Sequence, residues 1–255
     1  MTISRLIAIS VLLSVLVTAA CQGEAGHKGI LVLAAASMTD ALVEVGEVYQ
    51  DETGIEVTFS FGGSNALARQ VEFGAPADAV IFSGEPPMER LEGGSNPIVT
   101  GRINLLSNRL VLIGTEGTTP VDSLIELGYR NGRLALADPA FAPAGLYASQ
   151  ALRSADIWQD LEPRVIPTLD VRAAVAAVDS GASEFGLVYA TDAASASGVQ
   201  VLFVVPEEGH DPIVYPAALV GDPDNGNEPA EFLEFLQTDP SSEIFQRHGF
   251  QVATK

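Results

Sequence analysis

Basic residues are scarce in this chain, and lysine is the scarcest of them. Lys and Arg together number 13, of which two are lysine, against 33 Asp and Glu. The formal net charge at pH 7 is −20, which argues against nucleic acid or an anionic membrane surface as a partner, because both are polyanions. A small anion stays open as a ligand, since a local cluster of hydrogen-bond donors can oppose the field of the whole molecule.

Cysteine and aromatic residues are also few. The single cysteine, Cys21, excludes a disulfide within the chain. Aromatic residues make up 7% of the chain and hydrophobic residues 47%, so the predicted core is large and mostly aliphatic. A length of 255 residues is enough for one large domain or two small lobes.

Long apolar runs are absent except at the amino terminus. Arg5 is the only charged residue in 1–20, and the apolar run 6–17 follows it, before small residues lead to Cys21. This pattern predicts a secretory signal peptide over 1–20. Its end resembles a bacterial lipoprotein signal, which would make Cys21 the lipidated first residue of the mature protein and 21–28 a lipid-anchored polar tether. We therefore expect an exported protein, in the periplasm or on the outer face of the cytoplasmic membrane. No later stretch reaches about 18 apolar residues, so no further membrane span is predicted.

The rest of the chain repeats one local pattern: an apolar strand, a turn of small residues and a helix. The four turns lie at 34–40, at 62–65, at 138–145 and around Asp170. Ser37 and Ser64 occupy the first two turns. A helix start presents unpaired N–H groups and a partial positive charge, which together suit an anion. For Ser37 the alternative is purely structural, with its side chain as the helix cap and Asp40 completing a capping box.

Alternating strands and helices predict an α/β fold with parallel sheets covered by helices on both faces. The units form an early set and a middle set, so we expect two lobes, each with a mainly parallel sheet. Lobe I is placed at 29–107 plus 212–255, because the last two helices are expected to return to it, and lobe II at 108–211. Ligands bind at the carboxyl ends of strands in such sheets, and two facing lobes would bring all four turns to one cleft.

Six motifs, in one order along the chain, resemble a known family. They are ASMTDAL at 36–42, GSNALARQ at 63–70, GAPAD at 74–78, DP at 138–139 with PAGLYA at 143–148, DVR at 170–172 and VYATDA at 188–193. Over nearly all of 29–250 the chain resembles the substrate-binding proteins of bacterial molybdate ABC transporters. The resemblance implies a two-lobed periplasmic-binding-protein fold of type II. It also implies a monomer without a cofactor or enzymatic activity, which delivers its ligand to the membrane permease subunits of the transporter.

The resemblance also implies a set of ligand-binding residues. In that family, two serine side chains from one lobe hold a tetrahedral oxyanion together with backbone N–H groups and a tyrosine hydroxyl from the other. Carried onto this chain, the donors are the side chains of Ser37 and Ser64, the N–H groups of Ala144 and Val171, and the hydroxyl of Tyr189. Asn65 departs from the family pattern, where Ser or Gly is more usual, and its amide is an accessory candidate. The implied ligand is molybdate or tungstate, with no directly coordinated cation.

A site made only of neutral donors suits an anion that carries no proton. Molybdate and tungstate are fully deprotonated, whereas phosphate near neutral pH keeps a proton that would find no acceptor. Sulfate has shorter bonds, so only the size of the cavity would reject it. Sulfate, thiosulfate and phosphate therefore remain alternative ligands on the same fold. Arg172, next to Val171, is expected to form a structural salt bridge with a nearby acid.

Hydrolysis is the main alternative class of function, with Ser37 or Ser64 as the nucleophile. The histidines are His27, His210 and His248, and the sequence has no Gly-x-Ser-x-Gly motif. These histidines are not spaced as a pair of metal ligands either. A structural lipoprotein without a ligand is the third class.

Overall fold

The computed structural model describes residues 29–93, 97–221 and 227–252. The predicted signal peptide 1–20, the lipidation site Cys21 and the tether 21–28 lie outside these ranges. The strands are β1 (Ile30–Ala35), β2 (Val57–Gly62), β3 (Ala79–Ile81), β4 (Val99–Ser107), β5 (Leu110–Thr115), β6 (Leu134–Ala137), β7 (Val165–Thr168), β8 (Phe185–Tyr189), β9 (Val199–Val204), β10 (Val214–Val220) and β11 (Gln251–Val252).

Helices follow most of the strands. They are α1 (Thr39–Thr53), α2 (Ser64–Glu72), α3 (Glu85–Glu92), α4 (Ile125–Tyr129), α5 (Pro143–Ser154), α6 (Trp158–Leu161), α7 (Val171–Asp179), α8 (Ala190–Ala194), α9 (Glu228–Phe235) and α10 (Asp239–Arg247). None of the helices in the described ranges is both long and apolar enough to cross a lipid bilayer.

Two separate sheets organise the molecule. The first has six strands in the order β11-β4-β10-β3-β1-β2, and the second has five in the order β7-β6-β8-β5-β9. The chain passes from the first sheet to the second between Ser107 and Leu110, and returns between Val204 and Val214. The predicted two-lobed α/β fold is therefore confirmed, and each lobe is built around one sheet.

The prediction of mainly parallel sheets is wrong, because both sheets are mixed. In the first sheet β1 is parallel to β2 and β3, whereas β10 is antiparallel to β3 and β4. In the second, β6 is parallel to β7 and β8, whereas β5 is antiparallel to β8 and β9. In the first sheet, β4 and β10 are antiparallel because the chain leaves for the second lobe after β4 and returns from it into β10.

The strand β1 shows how the sequence builds the layers. Successive side chains of a strand point to opposite faces of its sheet, and here both faces are apolar. Val32 belongs to the same core cluster as Leu42 of α1. Leu33 packs in a second cluster with Leu67 of α2. The first sheet is therefore covered by helices on both faces, as its aliphatic sequence predicts.

The helix signals in the sequence agree with the structure at three of four positions. Gly54 ends α1 at φ 76°, and its N–H donates to Gln50 O at 2.8 Å. Pro143 is the first residue of α5, and Asp170 caps α7 by accepting from Ala173 N–H at 2.9 Å. The alternative role of Ser37 as a helix cap is wrong. It lies within a short 3-10 turn, Ala36–Met38, and α1 begins after it without a side-chain cap.

Candidate functional site

All five predicted ligand-binding residues lie at ends of strands or starts of helices, and all five are buried. Ser37 lies in the 3-10 turn after β1, and Ser64 is the first residue of α2. Ala144 is the second residue of α5, Val171 is the first residue of α7, and Tyr189 is the last residue of β8. None is more than 4% exposed. The first lobe provides the two serines and the second lobe provides the other three.

Tyr215, which was not among the predicted residues, connects two of these five. The hydroxyls of Ser37 and Tyr215 share a hydrogen bond of 3.0 Å. The ring of Tyr215 lies edge-on to the ring of Tyr189, with 6.2 Å between the ring centroids. Asn108 also donates to the Tyr215 hydroxyl at 3.1 Å. Ser37 of the first lobe and Tyr189 of the second therefore lie on either side of one fixed tyrosine.

Ser83 makes the corresponding connection on the side of Ser64. Its backbone N–H donates to the Ser64 hydroxyl at 3.0 Å, and the two hydroxyls are 3.3 Å apart. Ser83 also lies near Tyr189: burial raises the pKa of that phenol, and the Ser83 side chain acts in the opposite direction. The Tyr189 hydroxyl is buried, and within the described ranges no group is aligned to bond it well. Ser64, Ser83 and Tyr189 thus form a second group of hydroxyls across the cleft.

The two N–H candidates belong to helices that start against this group. The helix α7 packs on the 3-10 turn that carries Ser37. The first residues of α5 lie beside Gly84, since a Cβ built there would be 2.9 Å from the Cβ of Pro143. N–H groups in the first turn of a helix have no acceptor inside that helix. Val171 and Ala144 therefore present free backbone donors at the same cleft.

The titratable groups nearby are tyrosines that stay neutral and an arginine that is already paired. Burial raises the pKa of Tyr189 and of Tyr215 well above the ordinary value, so both phenols keep their protons. Arg172 bonds Asp40 of the first lobe at 2.6 Å and Asp192 at 3.2 Å. The predicted salt bridge of Arg172 is thereby confirmed, with one partner in each lobe.

Of the two acids that Arg172 bonds, Asp192 is the buried one, since its side chain is fully enclosed whereas that of Asp40 is exposed. Burial raises its pKa to about 7, although the Arg172 guanidinium acts in the opposite direction. One carboxylate oxygen of Asp192 bonds Arg172, and the other has no partner in the described parts of the chain.

A small cavity adjoins Ser37 on the side of the Arg172 ion pair. Its volume is about 160 Å³, and both lobes line it, with Arg172, Thr191 and His248 among the lining residues. The other four predicted residues do not line this cavity. Hydroxyl contacts link Ser37 to Tyr215 and Ser64 to Ser83, whereas Ala144 and Val171 are placed by the packing of α5 and α7.

The arrangement does not resemble a hydrolase site. Ser37 bonds Tyr215 and Ser64 bonds Ser83. His248 bonds Glu44 at 2.8 Å. In the described ranges no group of three or more His, Cys, Asp or Glu residues is placed to hold a metal ion. His27 lies outside those ranges.

Comparison with known proteins identifies the family. A family model for bacterial extracellular solute-binding proteins matches residues 30–251. The chain belongs to this family. It is 36% identical over 229 residues to the molybdate-binding protein ModA of Escherichia coli (strain K12), a match that covers 88% of this chain and 89% of that protein.

Two solved structures share the fold of this solute-binding protein. The periplasmic molybdate-binding protein of Azotobacter vinelandii superposes with a TM-score of 0.76 at 22% identity, over 88% of this chain and 100% of that one. The sulfate-binding protein SubI from Mycobacterium tuberculosis H37Rv gives 0.70 at 18% identity, over 88% and 86%. The predicted periplasmic-binding-protein fold is thereby confirmed, and at these identities the likeness concerns the fold alone.

Three site features of the solute-binding protein were not predicted from the sequence. Ser83 lies two residues after the end of β3, so the rule that selected Ser37 could have found it. Tyr215 lies inside β10 and carries no local signal, because its partners are distant in the chain. The amide of Asn65 donates across the cleft to Pro139 O at 2.7 Å, so its donor is used between the lobes.

Proposed function

We propose that this protein binds molybdate, and tungstate with it, and delivers the ion to the permease subunits of an ABC transporter without catalysing a reaction. The observation that carries the proposal is the convergence of buried, uncharged donors from both lobes. These donors are the hydroxyls of Ser37, Ser64 and Tyr189 and the N–H groups of Ala144 and Val171. The kinship with a protein named for molybdate binding supports the same ligand.

The donors suit an oxyanion for a specific chemical reason. A buried hydroxyl without a partner costs about 1–3 kcal/mol, and within the described parts of the chain the Tyr189 hydroxyl has no well-aligned partner. An oxygen of a bound dianion would accept from it. Arg172, which follows Val171, is committed to Asp40 and Asp192, so helix starts and hydroxyls provide the positive potential.

The alternative ligands are sulfate, thiosulfate and phosphate. Monoprotonated phosphate would leave its proton facing donors only, which we expect to cost about ten- to a hundredfold in affinity. Sulfate carries no proton, and the fold is shared with a sulfate-binding protein, so it is the closer competitor. Its shorter bonds would leave one or more of the five donors out of reach.

The proposal extends to the whole chain. We propose that residues 1–20 direct export and that a lipid on Cys21, followed by the tether 21–28, anchors a monomer to the membrane. We propose lobe bounds at 29–107 plus 212–255 and at 108–211. The strands that leave and re-enter the first sheet, β4 and β10, support these bounds.

A thermal-shift series tests the function. The purified protein is heated with molybdate, tungstate, sulfate, thiosulfate or phosphate at one ionic strength. A ligand at 100 times its Kd stabilises by about 2.7 kcal/mol, so we expect clear shifts with molybdate and tungstate at micromolar concentrations. A larger shift with sulfate would transfer the assignment to that ion. No shift with any of the five would favour a structural lipoprotein.

A further inference from the structure

Three donors of α2 meet three consecutive carbonyls of the opposite lobe. Asn65 Nδ2 donates to Pro139 O at 2.7 Å, and Arg69 donates to Ala140 O at 2.6 Å. The backbone N–H of Ala66 is shared between Gly63 O of its own lobe at 2.9 Å and Phe141 O of the other at 3.1 Å. The three acceptors in the second lobe belong to the loop between β6 and α5, so each bond to them crosses the cleft.

The acceptor loop is held in shape by its own bonds. Asp138 Oδ1 accepts from Ala140 N–H at 2.8 Å, and Asp138 O accepts from the N–H groups of Phe141 and Ala142 at 2.9 Å each. Asp138 N–H donates to Thr168 O at 2.8 Å. The turn therefore presents the carbonyls of 139–141 to α2 at little further cost in conformational entropy.

Gly63, just before α2, lies directly against the opposite lobe. A Cβ built on it would lie 2.5 Å from Phe141 O and 2.9 Å from Leu169 O. Its φ of −67° and ψ of 124° are open to any residue. Alanine at this position is therefore compatible with the first lobe by itself and incompatible with the two lobes in contact.

We propose that α2 and the loop 138–142 form a closure clamp, in which Asn65 and Arg69 are positioning residues that set how long the ligand stays bound. The clamp rests on the proposed function for its ligand. Its side-chain donors are used by carbonyls of the second lobe, and the Arg69 guanidinium also lies 5.6 Å from the ring centroid of Phe141. These groups act on the lobes and leave recognition of the oxyanion to the buried hydroxyls and N–H groups.

The first test removes the side-chain donors. In the double variant N65A/R69A we expect molybdate to dissociate at least tenfold faster, with an association rate within about twofold of the wild type, because opening of the lobes precedes release. The ranking of molybdate, sulfate and phosphate should not change. R69K, which keeps the charge and one donor, should recover part of the loss.

The control for the first test is R90A. Arg90 bonds Glu72 of α2 within the first lobe at 3.0 Å, so its loss removes an arginine from the same helix pair without touching the cleft. Dissociation from R90A should match the wild type. Unchanged dissociation in N65A/R69A, or a changed ranking of the ions, would overturn the clamp.

The second test blocks closure from the backbone side. We expect G63A to lose at least tenfold in molybdate affinity while its urea midpoint without ligand stays near that of the wild type. G62A is the matched control, because a Cβ at Gly62 would meet only the Leu67 side chain at 3.5 Å, an ordinary contact. Wild-type affinity in G63A would contradict a closed state in which these backbones touch.

Amide exchange separates the clamp from the identity of the ligand. If the wild-type protein binds no molybdate, the proposed function is wrong and no dissociation rate can be compared. The clamp is then judged on ligand-free protein by hydrogen exchange in the peptide that contains Ala66. Faster exchange in N65A/R69A than in the wild type and R90A supports it, and equal exchange in all three refutes it.

Discussion

Single hydroxyls decide the chemistry at the residue scale. The hydroxyls of Tyr189 and Tyr49 are both buried without an aligned partner in the described ranges. They differ in place: Tyr189 ends β8 at the cleft, whereas Tyr49 lies in α1, with its ring 5.1 Å from the ring of Phe232. This pair separates the effect of losing a buried hydroxyl from the effect of losing a ligand contact.

We predict that Tyr189→Phe lowers oxyanion affinity at least tenfold, since it would delete one proposed donor to the ion, and this hydroxyl has no well-aligned partner in the described ranges. Titration calorimetry with molybdate measures this. Tyr49→Phe should bind as the wild type does. Ser37→Ala should also lose at least tenfold, although it removes the hydrogen bond to Tyr215 and its stability must be measured beside its affinity. Equal affinities of Y189F and Y49F would remove Tyr189 from the site.

Asp192 predicts a pH dependence of stability. Its pKa in the folded protein is about 7, against an ordinary value of 3.8, because burial outweighs the attraction of Arg172. Between about pH 4 and 7 the folded state holds a proton that the unfolded state has released. The free energy of unfolding contributed by this group therefore falls as pH rises through that window.

We predict that the free energy of unfolding of D192N depends less on pH in this window. Relative to the wild type, it should rise by at least about 1 kcal/mol between pH 5 and pH 8, since one pKa unit is worth about 1.4 kcal/mol. Urea unfolding at the two pH values measures it. D51N, at an exposed position, serves as the control. A parallel pair of profiles for D192N and the wild type would contradict the raised pKa.

At the scale of helices and strands, the start of α5 is closely packed against its sheet. Gly145, in the first turn of α5, makes this contact possible. A Cβ built there would lie 1.8 Å from Ala137 O of β6, so α5 depends on a glycine to approach its own sheet. We predict that G145A destabilises the protein by about 1–3 kcal/mol or more through overpacking. G128A is the control, because its Cβ would meet Ile157 at an ordinary 3.7 Å. Urea midpoints of G145A and G128A, compared with that of the wild type, test this prediction.

The element scale also separates what the sequence could predict from what it could not. Local signals located β1, the cap of Gly54, the cap of Asp170 and the first turn at Pro143, since each depends on neighbours a few residues away. The strand β4 was not predicted, because its burial does not alternate and its pairing with β10 joins residues more than a hundred positions apart.

The candidate site divides in the same way. The strand-end rule found Ser37 and Ser64, but the partner of the Ser37 hydroxyl is Tyr215, 178 residues away. No local pattern in the sequence predicts such a contact, so the sequence alone left a helix cap open as the alternative role of Ser37. The bond between the lobes that Asn65 makes could not be predicted for the same reason, because its acceptor is 74 residues away.

Charge acts at the scale of the whole molecule. The net charge of −20 repels a dianion at long range, whereas the proposed donors are neutral groups. We predict that the association rate of molybdate rises by about two- to fivefold between 10 mM and 150 mM NaCl, as salt screens the repulsion, with little change in dissociation. Stopped-flow kinetics measure both rates. A rate that falls with salt would indicate a cationic entry path.

The position of β10 also determines the order in which the lobes are completed during translation. Every strand of the second sheet precedes β10 in the chain, yet β10 lies between β3 and β4 in the first sheet. The ends of the inserted lobe are already joined by the bond from Val205 N–H to Leu110 O at 3.0 Å. A nascent chain that has reached the end of β9 therefore contains all strands of its second sheet. In the first sheet, β4 is still separated from β3, because β10, the strand between them, has not yet been made.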